Sequence, residues 1–191
     1  TIAPNSGGFP QELPLPMGEE GSFSADGSHI AYVPFWNRRS VPNSYIAWKH
    51  YRGGKASPIW IADLGDSRIE KIPREDSNDF CPMWLGGKIY FLSDRDGPAT
   101  LYSYDMASKQ VKKELENHGY DLNFASSSAN AIVYEQFGSL HVFDPTGGQS
   151  KKLEVRVTAD FPAVRAHYER VAKKISGSSI SPGGARAAFE R

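Results

Sequence analysis

The chain of 191 residues carries 22 basic and 22 acidic side chains, a formal net charge of zero, so no bulk field steers it toward nucleic acid or an anionic membrane. No apolar run approaches the roughly 18 residues that cross a bilayer as a helix, and the opening TIAPNSGGFPQELPLP lacks the charged and apolar blocks of a secretion signal. The single cysteine, Cys81, excludes an intrachain disulfide and any C-x-x-C motif, which favours a reducing compartment.

Taken in chain order, Gly7 to Leu15 reads as the last strand of a blade. Short β-rich runs follow at His29 to Val33 (HIAYV), Pro58 to Asp63 (PIWIAD), Lys88 to Ser93 (KIYFLS) and Thr100 to Asp105 (TLYSYD). Three more come at Ala131 to Glu135 (AIVYE), Ser139 to Asp144 (SLHVFD) and Lys152 to Val157 (KLEVRV). Each is rich in Ile, Val, Tyr, Phe or Trp and bounded by Gly, Pro, Asp, Asn or Ser, the signature of strands. Helical periodicity is confined to Ala163 to Lys174 (AVRAHYERVAKK), which predicts one or two helical turns.

The runs repeat. Asp63, Asp105 and Asp144 each end a strand, 42 and 39 residues apart, and each precedes turn residues and then a charged strand (RIEKIP, QVKKELE, KKLEVRV). A four-stranded β-propeller blade has this period of about 40 to 45 residues. One such sheet cannot bury both of its faces alone, and stacking blades side by side covers them. Blades are expected at Gly21 to Pro73, Phe80 to Leu115 and Tyr120 to Val157. Ile175 to Arg191 restarts the pattern of SFSADGSHIAYV and holds two strands. The predicted fold is therefore all-β, a partial β-propeller of about three whole blades with part-blades at both ends. Residues 1–174 are assigned to one propeller and residues 175–191 to the next blade or a second propeller, with Arg156 to Arg170 as an interdomain linker.

SDRDG, Ser93 to Gly97, is the most catalytic-looking cluster, with three charges between two alternating runs. It falls where a second strand turns into a third, and Asp and Gly there supply turn chemistry and positive φ. The expectation is a hairpin turn. The better functional candidate is the insertion from Pro34 to Ser57, PFWNRRSVPNSYIAWKHYRGGKAS. Its cations Arg38, Arg39, Lys49, Arg52 and Lys55 have no acidic neighbour within it, and Phe35, Trp36, Tyr45, Trp48 and Tyr51 are interleaved. Guanidinium groups can hold a peptide carboxylate at two points while rings cover apolar side chains. Arg38, Arg39, Trp48, Lys49, Tyr51 and Arg52 are the candidate peptide-binding residues. The competing reading packs the aromatics onto neighbouring blades and leaves the cations to solvent or to acids on another domain.

SFSADGSHIAY, KIYFLSDRDGPATLYSYDMASKQ and SGSSISPGGARAAFE resemble the repeats of TolB-like and WD40-like propellers. GSFSADG, WKHYRGG (Trp48 to Gly54), PIWIADL, FCPMWLGGKIYFLSDRDG and AIVYEQFGSLHVFD, in that order, resemble the amino-terminal propeller of tricorn-type proteases, peptidases of the S41 family. The resemblance covers essentially the whole chain, and WK-x-YRGG is its most specific element. It implies a segment of a large cytoplasmic, homo-oligomeric serine peptidase. Its propellers guide peptides toward PDZ-like and catalytic domains further along the same protein. The family's catalytic residues lie far downstream, so the resemblance places none here. The family's peptide-anchoring arginine pair lies in an earlier blade, so that role does not transfer to Arg38 and Arg39.

The residues themselves agree. The chain has no G-x-S-x-G, S-x-x-K, H-E-x-x-H, G-x-G-x-x-G or phosphate-loop motif. His29, His50, His118, His141 and His167 lack metal-ligand spacing, so neither a metal nor a cofactor is expected. Cys81, just before Pro82, reads as a small buried hydrophobe. Two further functions stay open, a stand-alone TolB-like interaction propeller and the propeller gate of a prolyl-oligopeptidase-type hydrolase. Sequence beyond Arg191 separates all three.

Overall fold

The computed structural model describes residues 1–3, 5–35, 50–158, 160 and 162–190, which form two compact units, 1–155 and 156–191. The first unit holds three four-stranded antiparallel sheets, each a meander in sequence order. Sheet one is β1 (Gly21–Phe23), β2 (His29–Tyr32), β3 (Trp60–Asp63) and β4 (Ile69–Lys71). Sheet two is β5 (Asp79–Leu85), β6 (Lys88–Ser93), β7 (Thr100–Asp105) and β8 (Val111–Lys113). Sheet three is β9 (Leu122–Ser127), β10 (Ile132–Gln136), β11 (Ser139–Asp144) and β12 (Gln149–Lys152). First strands neighbour one another, β1 beside β5 and β5 beside β9, so the sheets stand as consecutive blades of an open, partial propeller.

Burial follows from that stacking. The middle blade is covered on both faces, and β6 and β7 are buried almost without alternation. Ile89, Phe91, Tyr102 and Tyr104 pack toward the first blade's Ala31, Val33, Ile59, Ile61 and Ile72. Their alternates Tyr90, Leu92 and Leu101 pack toward Leu122, Ile132, Tyr134 and Phe143 of the third. In the third blade alternation returns, and Val133, Leu140 and Leu153 on its other face are exposed. The joints between blades repeat as well. The Asp79 N–H donates to the Ser57 carbonyl (2.8 Å), and the Leu122 N–H donates to the Ala99 carbonyl (2.9 Å).

The periodic aspartates are turn formers. Asp63, Asp105 and Asp144 each accept, through one carboxylate oxygen, the N–H two residues on, at 2.8–3.0 Å from Gly65, Ala107 and Thr146. Four residues on, Ser67 (φ 62), Lys109 (φ 58) and Gly148 (φ 66) are left-handed and donate their N–H to the aspartate carbonyl. Only the third turn uses glycine for this conformation, which costs other L-residues about 1–2 kcal/mol. Ser67→Gly should therefore stabilise the chain by about 0.5–1 kcal/mol in urea unfolding, part of the relief being offset by the freer unfolded chain.

Three expectations are corrected. Gly7 to Leu15 forms no strand and touches the sheet pattern only as the bridge Ile2↔Gln11. Pro10, Pro14 and Pro16 remove ladder donors there. The fourth strand of the third blade is Gln149–Lys152, with residues 153–157 beyond it in irregular backbone. The helical turns expected at 163–174 reduce to a 3-10 helix, Pro162–Val164, and a separate turn in which Lys174 N–H bonds the Val171 carbonyl. In the second unit the restart is a hairpin, β13 (Gly177–Ile180) with β14 (Ala187–Glu190).

Candidate functional site

In antiparallel meanders alternate connections lie at the same end of the sheets. The exit from β2, the entry to β3, the β4–β5 link and the β6–β7 turn therefore share one end. Of the candidate residues, Arg38, Arg39, Trp48 and Lys49 lie outside the described residues. Tyr51 and Arg52 sit on the limb of the insertion that returns toward β3.

SDRDG is the turn its pattern predicts, joining β6 to β7 with Gly97 at φ 126. Its charges serve more than the turn. The Asp94 side chain is fully buried. One oxygen accepts the Asn78 backbone N–H (2.8 Å) and the other accepts the Asn78 side-chain amide (2.9 Å). Arg52 Nη1 lies 3.1 Å from both oxygens, and Arg52 Nη2 donates to the Asp94 carbonyl (3.0 Å). The same Asn78 amide also donates to the Tyr51 carbonyl (2.9 Å), and His50 Nδ1 stands 3.9 Å from Asp94. Burial pushes the Asp94 carboxyl up, but the Asn78 and Arg52 donors outweigh it and hold it below the usual carboxylate range.

A second buried acid stands beside it. Asp79 accepts the hydroxyls of Ser77 (3.0 Å) and Ser93 (2.6 Å) and pairs with Arg95 Nη2 at 3.0 Å. The Arg95 guanidinium lies over the Phe91 and Tyr102 rings, 5.3 and 4.9 Å from their centroids. Burial dominates at Asp79 and raises its carboxyl despite Arg95 and the two serines. Asp96 accepts the Tyr102 hydroxyl (2.7 Å) and meets Lys113 (3.1 Å), and these hold it low.

Where the first strands meet, a cavity of about 430 Å³ is lined by Glu20, Ser22, Cys81, Pro82 and residues 125–127 among others. The β5 bulge puts Cys81 at φ 51. The bulged backbone finds its acceptors on the first blade, with Cys81 N–H donating to Glu20 and Trp84 N–H to Ser22, both at 2.8 Å. Burial first, and the Glu20 charge second, push the Cys81 thiol up to about 12, so it stays a protonated, unreactive thiol at neutral pH. His141 stacks on Tyr134 with ring centroids 5.1 Å apart.

Sequence reasoning grouped Arg52 with cations lacking acidic partners, whereas the structure gives it Asp94. Asn78, Asp79, Asp94 and Arg95 were not singled out as a cluster. The available signal was an acid-rich turn on the blade after a cation-rich insertion. Both buried acids are engaged by donors, and that engagement fixes the position of the groups that bond them.

Comparison with known proteins places these features. The model of the family described as "Tricorn protease N-terminal beta propeller domain" matches residues 1–149. A tricorn protease homolog of Saccharolobus solfataricus is 33% identical over 122 residues, covering 64% of this chain and 11% of that protein. The tricorn protease of Thermoplasma volcanium is 28% identical over 136 residues, 71% of this chain and 13% of that protein. The chain thus spans little more than a tenth of these relatives. Among solved structures, a tricorn protease crystal structure matches with TM-score 0.58 and 26% identity over 71% of this chain and 12% of that one. A TolB from Acinetobacter baumannii, at TM-score 0.50 and 20% identity over 73% of this chain and 32% of that one, shares the fold alone.

Proposed function

Because residues 1–149 match its model, the chain belongs to the family of tricorn protease N-terminal β-propeller domains. From that premise we propose that it is a non-catalytic propeller segment of a larger S41-type serine peptidase, guiding peptides and contacting neighbouring domains. The family match carries this reading, and the composition of the insertion supports the peptide role. Five cations and five aromatics within residues 34–57, with no acid among them, suit an extended peptide with a free carboxylate. In this reading the partners are peptides and the PDZ-like and catalytic domains of the same protein, a cytoplasmic homo-oligomer.

The test uses the intact peptidase. Arg38→Ala combined with Arg39→Ala should raise KM about tenfold for a peptide with a free carboxyl end, the loss of one charge-assisted contact. It should leave kcat unchanged and an amide-capped peptide unaffected. Unaltered cleavage of both peptides would remove the peptide role and leave domain contact as the use of the insertion. The purified 191-residue chain should hydrolyse no peptide, and turnover by it would overturn the non-catalytic reading.

A further inference from the structure

The returning limb of the insertion is held by the neighbouring blade. Arg52 makes its described bonds to Asp94 and to the carbonyl of Tyr51, and Tyr51 in turn accepts from Asn78. Asn78 and Asp94 both belong to the second blade, at the entry to β5 and the exit from β6. They are bonded to each other three ways, through the side-chain amide, the Asn78 N–H to the carboxylate, and the Asp94 N–H to the Asn78 carbonyl (3.3 Å). The ring of Arg52, Asp94, Asn78 and the Tyr51 carbonyl is therefore closed, and its carboxylate is fully buried. Past it, Ala56 N–H bonds the Gly53 carbonyl and Ala56 to Ile59 are buried on the way into β3.

We infer that Asp94, with Asn78, is the positioning residue of the insertion. It fixes residues 50–52 against the second blade, so that Arg52 acts through placement and this limb presents one geometry to a peptide. Three features support this. The acid is 42 residues from its arginine, so the contact is tertiary and not local turn chemistry. The fork geometry engages two carboxylate oxygens and a carbonyl at once, which a lysine point charge cannot reproduce. The neighbouring pair, Asp79 with Arg95, also has a fully buried carboxylate, yet its charged groups touch Ser77, Ser93, Pro73 and the Phe91 and Tyr102 rings, and Asp79 meets the insertion through backbone bonds to Ser57. Among the described residues, the Asp94 carboxylate is bonded to the insertion at Arg52, whereas the Asp79 carboxylate is bonded to Ser77, Ser93 and Arg95.

The consequence for peptide affinity rests on the proposed function, whereas the anchoring does not. The experiment separates them. The chain is made with Arg52→Lys and, separately, with Asn78→Ala, and with Asp79→Asn as the control for general loosening of the seam. Trypsin nicking after residues 52 and 55 is timed, since Arg52→Lys preserves both cleavable sites. Binding of a fluorescent oligopeptide with a free carboxyl end is titrated alongside. Anchoring predicts about tenfold faster nicking in the two anchor variants and none in the control, with peptide affinity falling by a similar factor. Unchanged nicking overturns the inference whatever the peptide does. Faster nicking in a chain whose wild type binds no peptide upholds the anchor and removes the proposed function. Faster nicking with wild-type affinity overturns the link between placement and binding.

Discussion

Phe91→Ala will destabilise the chain by about 3–5 kcal/mol, whereas Phe9→Ala will change stability by less than about 0.5 kcal/mol. Phe91 is fully buried at the centre of the seam between the first two blades, stacked on Tyr102 with centroids 6.0 Å apart. Truncation leaves a void between two sheets whose backbones are fixed by their ladders, so the site cannot collapse to fill it. It also removes one of the two rings beneath Arg95. Phe9 is 94% exposed and packs no core. Urea unfolding of the two variants, compared at equal slope, measures the contrast. A loss below about 1 kcal/mol at Phe91 would mean that the blades do not share a packed seam.

The features most legible in the sequence were those whose physics is local. The aspartate period stood out because Asp63, Asp105 and Asp144 bond their own turns, and such chemistry fixes residue type at a fixed spacing. KIYFLS and TLYSYD were located to the residue because burial on both faces demands nearly continuous apolar or aromatic side chains. The strand expected at Lys152 to Val157 was placed late for the opposite reason. The Asp144 turn sets the register, pairing Asp144 with Gln149, and the resulting strand QSKK is exposed throughout. Leu153, Val155 and Val157 alternate like a strand, yet the ladder runs on just as far as the Leu153 N–H, which bonds the Leu140 carbonyl (2.8 Å). The Arg52–Asp94 contact left only the two halves of its signal, a cation-rich insertion and an acid-rich turn 42 residues on, with nothing local to join them. It depends on two blades meeting along one seam, which spacing along the chain does not encode.

Stability measured against pH should separate the two buried acids by the sign of their slopes. Asp94 is held below the ordinary carboxylate value, so its folded form favours the ionised state. It contributes stability that is complete above the unfolded value of about 3.9 and is lost as pH falls through the lower folded value. Asp94→Asn therefore costs about 3 kcal/mol at pH 7, where it also turns an amide donor toward either Asn78 or Arg52. That cost shrinks toward acid, as the wild-type carboxyl becomes neutral too. Asp79 is raised by burial, so its folded form favours the proton. The wild type loses stability as pH climbs from about 3.9 through the higher folded value. Asp79→Asn is spared that loss, and its stability relative to wild type improves from pH 3 to pH 7 while that of Asp94→Asn worsens. Urea midpoints collected from pH 3 to pH 8 read both slopes in one series. Parallel slopes would mean that neither the Arg52 fork nor the desolvation of Asp79 sets the protonation of the seam.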